Sequence, residues 1–438
     1  MATTLLIVTV GAEVSWLVLR PHMTGGWAWA PLVAAVAAHL VLVERERRRP
    51  TLTRRSILVA VAIVLVVAVA VPPFGSRDLY SYAFYGRMVA THHANPYLIR
   101  PDRFSGDALL GSLAHPWRRV RTVYGPLFTG VSAVGALGYG TSRLLARLFF
   151  QSLEALAMLY GLLLLARRKV RSDALVFLGL SPALLAVVNG GHNDLLAGVL
   201  LLAGIVALER RRAVEAGLLL AAAVSVKLLI LPGVLIVVVA LWINRRGREA
   251  WRVGAIVATT TAAGYLFVGG RAALGPLSER GHSISRGSIW HGAADVLASW
   301  GGGPALSGVT AQRLAVVATA ALGIILVARL RRPVDLGHAA VAALLVSLLA
   351  TQYVLPWYSA MALPLAALLP PRARFCAYAQ ATLLLLVYVV APGTSIRQTP
   401  LLPALNGLAP LIQFGLLVTL ITLWPPGRPR RGAVAARG

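Results

Sequence analysis

Apolar runs alternate with short arginine-rich breaks from the first residues to past position 400. Within the runs hydrophobic residues occupy every helical face, with no polar stripe of the kind that marks a surface helix. Helices of that kind sit in a protein core or in lipid. At roughly 14–22 residues each, about 14 runs qualify as crossings: 4–19, 30–43, 56–72, 143–166, 173–188, 195–208, 213–226, 228–243, 251–268, 311–328, 336–350, 358–369, 376–391 and 403–424.

The arginine clusters at 45–55, 167–171, 209–212, 245–248, 329–332, 372–374 and 428–437 are assigned to the cytoplasm by the positive-inside rule. Both termini then lie inside. Parity leaves one outward and one return crossing between 56 and 166. The Gly- and Ser-containing stretch 127–140 is therefore expected as a re-entrant helix covered by protein or lining a cavity. Two long outer loops remain, 73–142 and 269–310. The expected architecture is an all-α polytopic membrane protein: one domain over 1–424, followed by a basic, disordered tail over 425–438.

Composition agrees. The 438 residues are 58% hydrophobic and 13% charged, with a mean hydropathy of +0.74, outside the range of soluble domains. The net charge of +27 raises nucleic acid as a partner. Its placement, in clusters between apolar runs, argues for anionic lipid head groups instead. One cysteine, Cys376, excludes a disulfide frame, and Arg20-Pro21-His22 offers no signal-peptide cleavage site.

Against this scaffold the polar exceptions stand out. The richest is 74–97, FGSRDLYSYAFYGRMVATHHANPY, just beyond the run 56–72. Asp78 there is either a general base at the membrane–water boundary or, with Ser76, the cap of a loop helix; Tyr80 and Tyr82 give it an aromatic setting. A second cluster, Asn189-Gly190-Gly191-His192-Asn193-Asp194, lies between two runs. It reads as an ordinary Gly/Asn turn or as a polar site facing outward. His192 with Asp194 is too small a set to specify a metal.

Lys227 is one of two lysines and stands in an apolar run, where an ionisable residue is a functional candidate. It serves either as a point charge for a phosphate or as a snorkelling side chain. Tyr124 in a Tyr-Gly-Pro turn, and Trp357 with Tyr358 after Gln352, read as an interfacial aromatic belt or as a sugar- or lipid-facing wall. No glycine-rich phosphate loop and no Gly-x-Ser-x-Gly or His-Glu-x-x-His motif is present.

The ordered set Arg77-Asp78-Leu79-Tyr80-Ser81-Tyr82-Ala83, Asn95-Pro96-Tyr97, Tyr124-Gly125-Pro126, Gly191-His192-Asn193-Asp194, Val226-Lys227 and Pro356-Trp357-Tyr358 resembles a known family. It is similar to the polyprenol-phosphomannose-dependent α-1,6-mannosyltransferases of actinobacterial lipomannan and lipoarabinomannan assembly, among the GT-C glycosyltransferases. The resemblance spans roughly residues 56–400.

It implies a GT-C-like bundle in the cell membrane with an extracytoplasmic active site. It also implies a polyprenyl-phosphate mannose donor, a lipid-linked glycan acceptor, and inversion in one displacement, with no nucleotide cofactor. By position it puts Asp78 in the base role. Tyr80, Tyr82, Tyr124, His192, Asn193, Asp194, Lys227, Trp357 and Tyr358 then become substrate-binding candidates; no metal ligands are assigned, and a divalent metal is left open. The rival readings are the same fold with an arabinofuranose or glucose donor, and a transporter of polyprenyl-linked sugar. A transporter should show two matching halves with interrupted helices, and no such symmetry is visible in the chain.

Overall fold

The computed structural model describes residues 2–22, 29–299, 306–388 and 401–423. All regular structure among them is helical. The chain opens with α1 (Ala2–Leu19), α2 (Ala30–Arg48), α3 (Arg54–Ala70), α4 (Asp78–Ala90), α5 (Pro126–Tyr139) and α6 (Arg143–Arg167). It continues with α7 (Ser172–Gly179), α8 (Pro182–Gly190), α9 (Asp194–Glu209), α10 (Ala213–Val226), α11 (Leu231–Ile243), α12 (Gly247–Phe267) and α13 (Gly275–Gly281). The last six are α14 (Ile289–Ser299), α15 (Gly308–Arg329), α16 (Leu336–Ala350), α17 (Leu363–Ala366), α18 (Pro371–Tyr388) and α19 (Leu401–Leu423).

Helices apolar on every face divide into two kinds. α9 and α16 are buried along nearly their whole length and form the central pillars. α9 packs on α6 and α10, and α16 on α11 and α15. α15 instead leaves Val316, Val317 and Ile324 largely exposed. An outward row of β-branched side chains is stable only in an apolar surrounding, so this helix reads as lipid-facing.

The apolar runs of the sequence coincide with helices, but helix length is uneven. By length and composition α1, α6 and α15 can each cross a membrane, or five spans result if the bent pairs α7–α8 and α12 with 270–279 each count as one. The expected crossing at 173–188 is broken at Leu180–Ser181 ahead of Pro182, with a bend of 40°. Proline removes a backbone donor and disfavours helix in the residue before it.

The expected crossing at 358–369 differs more. It is a 3-10 turn (Pro356–Met361) and the single turn α17, almost entirely buried, with Pro356 and Pro364 interrupting it. The stretch 127–140 is the 14-residue helix α5, packed against α4 and α6. The tail 425–438 lies outside the described residues.

Candidate active site

Two short loops and the start of one helix build the site. α4 begins at Asp78, and Ser76 Oγ accepts the hydrogen bond of the Asp78 backbone N–H at 3.0 Å. The N-cap position itself is Arg77, without a side-chain cap bond, so Asp78 is the first helical residue and not the cap. Asp78 keeps its carboxylate for the space in front of the helix, where it lines a cavity of about 410 Å³. Burial pushes its pKa up from the ordinary carboxylate range to about 6, against the pull of a Ser76 hydrogen bond and the Lys227 charge.

The turn between α8 and α9 carries His192. Gly191, at φ +62°, ends α8 in the left-handed conformation that favours glycine. Gly190 is needed for another reason: a Cβ there would stand 2.4 Å from His192 Cδ2 and 2.6 Å from Nε2. The imidazole lies in the space this glycine leaves, and stacks on Trp357 with ring centroids 3.9 Å apart and planes 10° from parallel. Its Nδ1 is 3.8 Å from Asp78 Oδ2 and is a buried atom without a hydrogen-bond partner.

Lys227 stands where α10 gives way to a 3-10 turn, in extended backbone. Gly125 fixes that place. Its N–H bonds Val226 O at 3.2 Å, and an added Cβ would meet Ser225 O at 2.0 Å. The Tyr-Gly-Pro turn is thus seated directly on the end of α10, so Tyr124 and Lys227 enter the same cavity. Lys227 Nζ lies 2.9 Å from Asp194 Oδ1 and 3.0 Å from Oδ2. It is also 4.5 Å from the centroid of the Tyr358 ring, a cation–π distance.

The structure therefore brings together Asp78, Tyr124, Lys227, Trp357 and Tyr358 as cavity-lining residues, with His192 behind Trp357. Others stand one layer back. Asp194 is fully buried as the counter-ion of Lys227, and Asn193 reaches Val226 O and Lys227 at 3.5 Å each. Tyr82 is buried in an aromatic cluster, its ring 4.5 Å from that of Tyr124 and 5.0 Å from that of Phe128. Tyr80 is half-buried against the apolar core and does not line the cavity. Asn95-Pro96-Tyr97 is structural: Asn95 donates to Val268 O at 2.8 Å, and Tyr97 to Tyr124 O at 2.7 Å.

Sequence reasoning passed over Glu154, a buried acid on α6 whose Oε2 accepts the N–H of Leu196 in the first turn of α9. A lone acid inside an apolar run was the available signal. Trp117, in the aromatic-basic loop stretch 115–121 but not among the site candidates, also lines the cavity. Among the described residues no group of three or more His, Cys, Asp or Glu side chains is placed to hold a metal.

No curated protein and no solved structure matches the chain. A family model does: alpha-(1->6)-mannopyranosyltransferase, N-terminal domain, over residues 7–244. That range takes in Asp78, the Tyr-Gly-Pro turn, the His192 turn and Lys227, and it exceeds half of the chain, which therefore belongs to the alpha-(1->6)-mannopyranosyltransferase family.

Proposed function

We propose that the protein moves mannose from a polyprenyl-phosphate mannose to a lipid-linked mannan-type glycan, on the extracytoplasmic face of the cell membrane, in one inverting displacement. One observation carries this reading. The cavity holding Asp78 and Lys227 shares Pro232 as a lining residue with a second, almost wholly apolar groove of about 540 Å³ between α11, α15 and α16. A carboxylate and a cation at one end and a hydrocarbon-lined trough at the other suit a sugar phosphate on a long isoprenoid chain.

In this reading Asp78 removes the proton of the acceptor hydroxyl as its oxygen attacks the anomeric carbon. The bond from that carbon to the phosphate oxygen breaks, and the electron pair leaves with the phosphate. Lys227 stands where this negative charge grows and meets it with a preorganised ammonium. Asp194 is occupied by Lys227, so Asp78 is the carboxylate available to the reacting atoms, which supports a single displacement. Tyr124, Trp357 and Tyr358 offer flat walls for the sugar.

The test is transfer of labelled mannose from polyprenyl-phosphate mannose to an α-mannoside acceptor in membranes carrying wild type or Asp78→Asn at equal expression. Wild-type transfer with a loss of about 100-fold in the mutant supports the reading, on the usual scale of general base catalysis. Equal activity in both removes Asp78 from the base role. A wild type that is silent with this donor but active with a nucleotide-linked mannose overturns the lipid donor.

A further inference from the structure

The base has to lose the proton it takes, and the cavity in front of Asp78 is filled by substrate when it takes it. Another space lies beside His192. A partly open pocket of about 40 Å³, mostly apolar but lined by Arg20, His192, Trp357 and Tyr388, adjoins the His192–Trp357 stack. Trp357 is common to both spaces, and His192, stacked on it, lines only the second. At about 10–15 Å³ per water the pocket has room for roughly three molecules, which is too small for a hexose.

We propose that His192 relays the acceptor proton from Asp78 to water in this pocket. Nδ1 faces the Asp78 carboxylate at 3.8 Å and has no other partner, although the ring is almost fully buried. A buried nitrogen left unpaired is costly and calls for a reason. Pairs of this kind are often long before substrate is in place and tighten afterwards. Nε2 stands at the opposite edge of a ring that itself lines the pocket. Gly190 and Trp357 hold the ring plane, one by leaving space and the other by stacking.

The step balances. The acceptor O–H proton passes to Asp78, the Asp78 proton to Nδ1, and the Nε2 proton to a pocket water, so the imidazole ends neutral with its tautomer exchanged. Once product has left, the Nδ1 proton returns through Asp78 to water that refills the front cavity while a water on the other side re-protonates Nε2, which restores the starting tautomer. The charged and titratable groups around the ring are Asp78 from α4, Lys227 after α10, Arg20 after α1 and Tyr388 at the end of α18.

The relay rests on Asp78 being the base, and the experiment separates the two. Transfer is measured for wild type, Asp78→Asn, His192→Gln and His192→Ala, with folded protein checked by gel filtration and melting temperature. His192→Gln keeps a polar side chain that cannot shuttle, and should lose about 10- to 100-fold in kcat, a fraction of the full general-base effect, with KM for the donor little changed. Imidazole added to His192→Ala should restore turnover, and substituted imidazoles should do so in the order of their basicity. Asp78→Asn should not respond to them.

A His192→Gln enzyme within twofold of wild type overturns the relay, as does a folded His192→Ala enzyme that no imidazole rescues. A loss seen in KM alone would assign His192 to substrate binding instead. If Asp78→Asn is as active as wild type, the base reading falls and the relay falls with it.

Discussion

The Lys227–Asp194 pair is the most consequential contact to break. Its two N–O distances are 2.9 and 3.0 Å, and the side chains are 11% and 0% exposed. At about 3 Å and an effective dielectric near 20 the Coulomb attraction is about 5 kcal/mol, most of it offset by the desolvation of both ions. Removing one partner therefore costs far more than the pair contributes, because a buried charge is left alone; about 3–5 kcal/mol is expected.

Asp194→Leu and Lys227→Met should each lower the unfolding free energy by about that amount, and the double variant Asp194→Leu/Lys227→Met should recover most of it. The assay is reversible unfolding in mixed micelles, read as a double-mutant cycle, with mannose transfer measured on the same four proteins. The two readouts should part company: the double variant regains stability but no activity, because the phosphate has lost its cation. Additive stability effects, with coupling below about 0.5 kcal/mol, would mean that the pair is not formed. A double variant with transfer near wild type would refute Lys227 as the phosphate ligand.

Asp78 works as a base only when deprotonated, so transfer should rise with pH through about 6 and then level. The same raised pKa means that ionising Asp78 weakens the fold as pH climbs from the ordinary carboxylate range to about 6, and Asp78→Asn should abolish that slope in a melting series. Gly125→Ala puts a Cβ 2.0 Å from Ser225 O, and the backbone at Lys227 must shift; a stability loss of about 1–3 kcal/mol is expected, with activity falling further than stability explains. Ala320→Phe, in the apolar groove, should raise KM for a long-chain polyprenyl donor and leave a ten-carbon analogue unaffected; equal effects on both would remove the groove from donor binding. Asp107 is buried, which alone would raise its pKa, but the hydrogen bonds from Arg87 at 2.7 Å and His92 at 2.7 Å outweigh this and hold it low. Its stabilisation is then present above the ordinary aspartate range and lost as pH falls through the lowered value, so Asp107→Asn should flatten acid sensitivity of the outer loop in limited proteolysis.

What the sequence determined by itself was the solvent each segment tolerates. Runs apolar on all faces can only be buried or in lipid, and helices stand at those runs because the backbone must satisfy its own hydrogen bonds there. The polar exceptions were visible for the same reason: Asp78, His192, Asp194 and Lys227 are expensive where they stand. Hydropathy could not tell a lipid-facing helix from a central pillar, so α15 and α16 read alike although one is exposed and the other buried. Nor could it see that the prolines of 356–364 turn an apolar run into a 3-10 turn and a single helical turn.

The division of labour inside the site was decided by tertiary structure alone. Asp78 and Ser76 were equal candidates for a cap in the sequence, and the structure gives that position to Arg77, with Asp78 as the first helical residue facing the cavity. Asp194 and Lys227 are 33 residues apart in the chain and become an ion pair only because α9 and α10 pack side by side. His192 and Trp357 meet across a still longer gap, and their stack brings the pocket that His192 lines next to the cavity that Asp78 lines. Contacts of that range depend on how helices pack, where a side chain's direction and a glycine's missing Cβ count for more than any local pattern.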